Sequence, residues 1–337
     1  VTVVPRMAVR DVPAGLGSAV DDWVADLDAT TRAGKGIRSA LFEAVYVAAG
    51  GDDPAVRVAV GEALELLHEA FLIHDDVVDG DDHRRGQANL QGRTRDRVAA
   101  RGAAPAVAEG VGRAGGLLGG DMLLVAAMSG FARLPVPAPT VHRVLDEVER
   151  AVTASVVGEY ADIHYSADAR PPSRERALAI GQAKTAAYSV SLPLVLGAIL
   201  AGAGDQTVES LREVGAHLGT AYQVVDDLLG VFGDPGETGK SNEGDLLRAA
   251  PTVLLAFAAT TDAWPRIDAA LGGHGHGDPD PDTARDLLYE CGARDHAQRV
   301  AEDLVAAART ALDRPTIPAA IRAALAPHLA AALERTR

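Results

Sequence analysis

One cysteine, Cys291, is all that 337 residues contain. A lone thiol excludes an internal disulfide framework and fits a reducing compartment, and a buried structural thiol is the simpler reading than a nucleophile. Positive charge is short as well: 32 Lys and Arg stand against 47 Asp and Glu, a formal net charge of -15. No basic stripe could neutralise a run of phosphates, so nucleic acid is excluded as a partner, and an anionic ligand would need metal ions as intermediaries. Long hydrophobic runs are missing too. The N-terminal VTVVPRMAVRDVPAG holds no signal-peptide core, and no later segment reaches about eighteen uninterrupted apolar residues. The expectation is a soluble, cytoplasmic chain with no transmembrane segment. Aromatic residues make up only 4%.

What is present is aliphatic. The hydrophobic fraction is 47%, with Ala and Leu dominating whole segments, a composition that suits helices packed closely on helices. Helical spacing runs through 16–31, 40–49, 140–165, 173–200, 208–232, 287–312 and 319–333. Asp53 is placed to cap a long helix with Pro54 at its first position. The pairs Gly115-Gly116 and Gly119-Gly120 would let neighbouring backbones approach closely, and Pro135, Pro137 and Pro139 end that segment. Residues 87–101 read as an exposed loop or short helix, and GGHGHGDPDPD at 272–282 as a solvated loop. With no linker and no fixed repeat, the expected architecture is all-α, a single domain over 1–337.

The chemistry centres on 68–86, HEAFLIHDDVVDGDDHRRG. An apolar helical run delivers Asp75, Asp76 and Asp79, and residues four apart share a helix face, so Asp75 and Asp79 point the same way. Two carboxylates on one face suit a hard cation such as magnesium, and Arg84 and Arg85 downstream suit an anion that follows the metal. A second acidic cluster, Asp226-Asp227, follows Gln223 and precedes a Gly-rich turn ending in Lys240. Either cluster alone is unremarkable in an acidic protein. Together, with Lys184 at hand, they suggest two helices facing each other across a cavity that holds divalent ions and a polyphosphate. Lys35 and Arg38 near the start of a helix, where the macrodipole disfavours cations, suit a bound anion, with a solvated turn as the equal alternative for this stretch alone.

These residues resemble the trans-isoprenyl diphosphate synthases, or polyprenyl synthetases. Asp75-Asp76-Val77-Val78-Asp79 with Arg84-Arg85-Gly86 matches the family's first aspartate-rich motif in full. Gln223 to Leu229, Gly233-Asp234 and Gly239-Lys240 resemble the second motif. Gly34-Lys35-Gly36-Ile37-Arg38 looks like the early basic motif, and Lys184-Thr185 like the family's middle-helix pair. The matches run in order from Gly34 to Thr252. The resemblance implies a helical bundle of the isoprenoid synthase type around a deep central cavity, a homodimer, and head-to-tail condensation of isopentenyl diphosphate with an allylic diphosphate. It implies that Asp75, Asp79 and Asp226 hold three magnesium ions, with Asp76 and Asp227 in support. Arg84, Lys184 and Lys240 would hold the allylic diphosphate, while Lys35, Arg38, His68 and Arg85 would hold isopentenyl diphosphate. The Lys184 carbonyl, the Thr185 hydroxyl and the Gln223 amide would stabilise the carbocation.

Some positions depart from the pattern. Gly230 replaces the last aspartate of the second motif, Gly36 and Ser39 replace an arginine and a proline of the early motif, and Ala249-Ala250-Pro251-Thr252 removes two cations. The last bears on phosphate binding or closure at that end. Phe71 and Ala70, four and five residues before the first aspartate, lie where the family sets chain length. The small Ala70 favours a geranylgeranyl product, with farnesyl next. A class I terpene cyclase, a non-catalytic or modifying subunit of a synthase and a His-Asp phosphohydrolase suggested by His68 and His74-Asp75 are the competing readings.

Overall fold

In the computed structural model, described for residues 13, 15–31, 36–84, 86–168, 173–233, 246, 248–273 and 277–334, the chain divides into two compact units. One comprises Val1–Glu43 and Asp52–Leu145, the other Ala44–Gly51 and Asp146–Arg337. Their described residues bear out the all-α expectation: one two-stranded hairpin is the sheet found among them.

The first unit is built on helix α3 (Pro54–Asp79). The Asp53 side chain accepts a hydrogen bond from the Ala55 amide and Pro54 occupies the first turn, so the helix starts where its orphan donors have a partner. Val56, Val60, Leu64, Leu67 and Ile73 form its buried side. It lies against α5 (Pro105–Ala132), and there the glycine pairs matter. A Cβ at Gly116 would come 2.5 Å from Val77, and one at Gly120 would overlap the His74 ring. Only glycine lets the two helices approach so closely. Preceding them are α1 (Ser18–Thr30) and α2 (Ile37–Ala48), and α4 (Leu90–Ala100) lies between the hairpin and α5.

Residues 87–101 are thus more ordered than their polarity suggests. Asn89 caps α4 by accepting from the Gly92 amide, and Leu90, Gln91 and Gly92 are buried. The arginines pair with nearby acids, Arg97 with Asp26 at 2.7 Å and Arg95 with Asp82. Solvated polar residues and residues neutralised by tertiary partners look alike in one dimension.

Helix α6 (Ala138–Ser166) runs from the first unit into the second, which is built around α9 (Asp205–Phe232). The expected helix over 173–200 is three pieces: α7 (Arg174–Gly181), a π-helical segment (Gln182–Ser191) and α8 (Leu192–Leu200). The α8 residues from Leu192 to Ile199 are buried all round. Gly215 and Gly219 of α9 face the π-helical segment, where added Cβ atoms would come 2.5 Å from Ser191 and 2.6 Å from Ala186. The unit closes with α10 (Val253–Ala258), α11 (Trp264–Ala270), α12 (Pro281–Glu290), α13 (Ala293–Leu312) and α14 (Ala319–Glu334).

Two helical runs, Pro105–Ala132 and Arg174–Leu200, are long and apolar enough to cross a membrane by length and composition. In the second, 72% of the apolar window is buried within the protein, as in a core helix. The first has 39% buried, lies on α3 and carries Glu109, Arg113 and Asp121, so the length test alone does not make it a span.

Candidate functional site

The first acidic motif is shaped by two glycines. Gly80, at φ 71°, ends α3 directly after Asp79, with the amides of Gly80 and Asp81 both bonding to the Asp76 carbonyl. Gly86, at φ 72°, sits in the turn between strands β1 (His83–Arg84) and β2 (Gln87–Ala88), where Arg84 pairs with Gln87. The hairpin returns Arg84 to the end of α3. Its Nε donates to Asp76 Oδ1 at 2.8 Å, and its Nη2 donates to Asp75 Oδ2 at 3.0 Å and to Asp76 Oδ1 at 2.5 Å. Asp76 is 4% exposed and anchors the guanidinium. Burial alone would lower the Arg84 pKa. The hydrogen bonds and charge of Asp76, and then of Asp75, outweigh that and raise it above the ordinary arginine value.

Along α3, His68, Phe71, Asp75 and Asp79 recur at helical spacing and are all half-buried. Ala70 belongs to another stripe. It is fully buried, four residues before His74 and seven after Ala63, and both of those meet α5, at Gly120 and Gly130. His74 Nε2 lies 3.2 Å from the Leu117 carbonyl and 3.3 Å from Asp121 Oδ1. His74 and Asp75 therefore turn to different partners, and a His-Asp hydrolase pair has no support here.

The early motif's two departures explain each other. Gly36 has φ 66°, a conformation that strains an arginine. Its carbonyl accepts from the Ser39 hydroxyl at 3.2 Å, while the Ser39 amide and hydroxyl both donate to the buried Glu65 at 3.2 and 2.8 Å. A proline at 39 could offer neither donor. Arg38 lies in the same first turn of α2 with its Nε buried. Lys35, Arg85 and Lys240, all expected to hold diphosphate, fall outside the described residues.

In the second unit, Thr185 Oγ1 bonds to Gln223 Oε1, and Gln223 Nε2 donates to Asp227 Oδ1 at 2.7 Å. Asp227 thus orients the Gln223 amide, whereas Asp226, one residue earlier, is exposed. Lys184 makes contacts the sequence did not signal: its Nζ is 2.9 Å from Glu159 and 2.8 Å from Asp162, both on α6. A Cβ at Gly158 would overlap the Lys184 backbone nitrogen, so α6 is pressed onto the π-helical segment there. π-helical insertions recur at functional positions. A shallow groove of about 590 Å³ beside α6, lined by Asp146, Glu149, Arg150 and Ala183 among others, includes none of the expected residues.

Within the missing-cation stretch, Ala249 takes φ 48°, Pro251 is buried and the Thr252 hydroxyl caps α10 by accepting from the Leu255 amide. The stretch serves helix initiation. Among the described residues, no three His, Cys, Asp or Glu side chains gather as a ready metal cage. The donors at hand are the half-buried Asp75 and Asp79 on one helix and the exposed Asp226 on another, hard oxygen ligands of the kind magnesium accepts alongside ligand phosphates.

The polyprenyl synthetase model matches residues 25–280. The chain belongs to the polyprenyl synthetase family. It is a transferase of the prenyltransferase type, acting in isoprenoid chain elongation. A relative, the geranylgeranyl diphosphate synthase of Mycobacterium tuberculosis, is 32% identical over 86% of this chain and 78% of its own. A (2E,6E)-farnesyl diphosphate synthase of Mycobacterium bovis is 32% identical over 66% of this chain and 56% of its own. Among solved structures, geranylgeranyl pyrophosphate synthase from Corynebacterium glutamicum, complexed with isoprenyl diphosphate and magnesium, superposes with TM-score 0.87 at 31% identity, covering 96% of this chain and 93% of that one.

Proposed function

We propose that this polyprenyl synthetase is a magnesium-dependent enzyme joining isopentenyl diphosphate to an allylic diphosphate, with geranylgeranyl or farnesyl diphosphate as product. The observation that carries this reading is the Arg84-braced Asp75-Asp76-Val77-Val78-Asp79 motif in a chain that also holds the Thr185–Gln223–Asp227 network. The allylic carbon–oxygen bond breaks and the diphosphate leaves with the electron pair. The double bond of isopentenyl diphosphate attacks the resulting cation, and a proton is lost to the released diphosphate. Bound magnesium would supply charge neutralisation for the leaving diphosphate; Asp75, Asp79 and Asp226 would hold it, three ions in all, with Asp76 and Asp227 in support.

The chain's own groups divide the remaining work. Arg84, Lys184 and Lys240 hold the allylic diphosphate, and Lys35, Arg38, His68 and Arg85 hold isopentenyl diphosphate. Cations placed in advance where negative charge develops lower the barrier directly. The dipoles of the Lys184 carbonyl, Thr185 and Gln223 stabilise the cation. The aliphatic surroundings keep water from quenching it. Phe71, four residues below Asp75 on the same stripe, limits the growing chain, and the small Ala70 leaves room behind it. The chain works as one domain over 1–337, as a cytoplasmic homodimer.

Incubation of the purified protein with magnesium, isopentenyl diphosphate and each allylic diphosphate in turn tests this. The reading requires elongated twenty- or fifteen-carbon diphosphates, and a longer product from Phe71→Ala. A hydrocarbon formed from a prenyl diphosphate alone would replace it with a cyclase, and turnover restored only by a partner chain would replace it with a subunit role.

A further inference from the structure

Asn89 closes the loop that carries Arg84. The loop leaves α3 at Gly80, turns at Gly86 and ends where β2 meets α4, and at that base the Asn89 backbone nitrogen donates to the Asp82 carbonyl at 2.9 Å. The buried side chain of Asn89 does two further things. Its oxygen accepts from the Gly92 amide at 2.9 Å, capping α4, while its nitrogen donates to the Asp81 carbonyl at 2.5 Å. Asp81 is tied back to the acidic motif in turn, its amide donating to the Asp76 carbonyl at 2.9 Å, and the Asp76 carboxylate receives Arg84. A bonded line therefore runs from the first turn of α4 through Asn89 and Asp81 to Asp76. The helix is also pressed onto the same loop: a Cβ at Gly92 would overlap the Asp82 carbonyl, and Arg95 pairs with the Asp82 carboxylate.

Capping alone does not call for asparagine. Serine and aspartate cap a helix about as well, but a serine hydroxyl at this position is too short to reach Asp81, and an ionised carboxylate has no proton to donate. An amide that divides its oxygen and nitrogen between two partners does both, joining α4 to the loop. We propose that Asn89 is a positioning residue that fixes residues 80–88 so that Arg84 stands in place before diphosphate arrives. A loop that is competent in only a fraction of the molecules lowers the apparent affinity by that fraction. Asn89 keeps the fraction high without touching the ligand. The proposal rests on the reading that Arg84 holds diphosphate.

The test is calorimetric binding of inorganic pyrophosphate to the full chain in magnesium, read beside thermal melts. Asn89→Ser keeps a capping oxygen and loses the donor to Asp81. It is expected to weaken binding about tenfold at a temperature where the melts show it folded. Asn89→Ala, which loses the cap as well, should melt below Asn89→Ser yet bind no more weakly. In an Arg84→Gln background, Asn89→Ser should weaken binding by less than about twofold further, since the loop then has no guanidinium to place. Unchanged binding in Asn89→Ser, a loss of affinity that follows the melting temperature from the serine to the alanine variant, or a full tenfold loss in the Arg84→Gln background would overturn the proposal. Arg84→Gln alone separates the two levels: if it binds pyrophosphate as the wild type does, the phosphate role of Arg84 fails first, and the proposal with it. If Arg84→Gln weakens binding while Asn89→Ser changes nothing, only the role of Asn89 fails.

Discussion

The two acidic regions reach their geometry by opposite routes. At the first, the bracing is local: α3 stops at Gly80, the hairpin turns at Gly86, and Arg84 returns to Asp75 and Asp76. At the second, Gln223 meets Asp227 within one turn, but the rest comes from afar, Lys184 from Glu159 and Asp162, and Thr185 from Gln223, 38 residues on. Burial differs too. Asp76 is 4% exposed, whereas the carboxylates on Lys184 are a fifth to a quarter exposed. A contiguous motif can anchor a buried ion pair by itself, while a dispersed one depends on how closely its helices pack.

The difference can be broken first at the ion pairs. Arg84→Ala removes the guanidinium bonded to the buried Asp76 and should destabilise the protein by about 3 kcal/mol, while Lys184→Ala, whose carboxylates retain water, should cost about 1 kcal/mol or less. Chemical denaturation of both variants checks this, and equal losses would remove the distinction.

Packing gives a smaller effect with the opposite order. Gly158→Ala drives a methyl into the backbone of the π-helical segment, which cannot step aside, and about 2 kcal/mol of lost stability is expected. Gly120→Ala meets the His74 ring, a side chain that can rotate, and should cost about half as much. Thermal melts of the pair decide it, and a larger loss in Gly120→Ala would show the first region to be the more tightly packed.

The smallest effect lies outside both motifs. Burial lowers the His328 pKa, so the unfolded state takes up the proton more readily than the folded one. Its contribution is present above the unfolded value and is lost as pH falls through the range below it. His328→Gln should therefore flatten the decline in stability between about pH 7 and pH 5 seen in the wild type, when melting temperatures are compared across that range.

What the sequence made legible follows the same division. The helices, the cap at Asp53-Pro54, the glycine contacts of α5 and the positions of Asp75, Asp79 and Arg84 are local patterns, readable from spacing and turn chemistry. The π-helical segment was not readable, because QAKTAAYSVS has the composition of an ordinary helix and its widening accompanies packing against α6 and α9. The pairing of Glu159 and Asp162 with Lys184 arises only once Gly158 brings two segments together. Gly36 and Ser39 looked like losses from a motif. They became intelligible through Glu65, 26 residues from Ser39, which no short pattern connects to them.

The central claim is that both regions serve one elongation reaction, and a double-mutant cycle on its rate tests that most directly. Asp75→Ala and Asp226→Ala are each expected to slow formation of the elongated diphosphate about 10²–10³-fold, and the double variant to lose no more than about tenfold beyond the worse single one. Groups acting as one unit behave in that non-additive way. Near-wild-type elongation in either single variant would contradict the account, and fully multiplicative losses would show two sites acting independently.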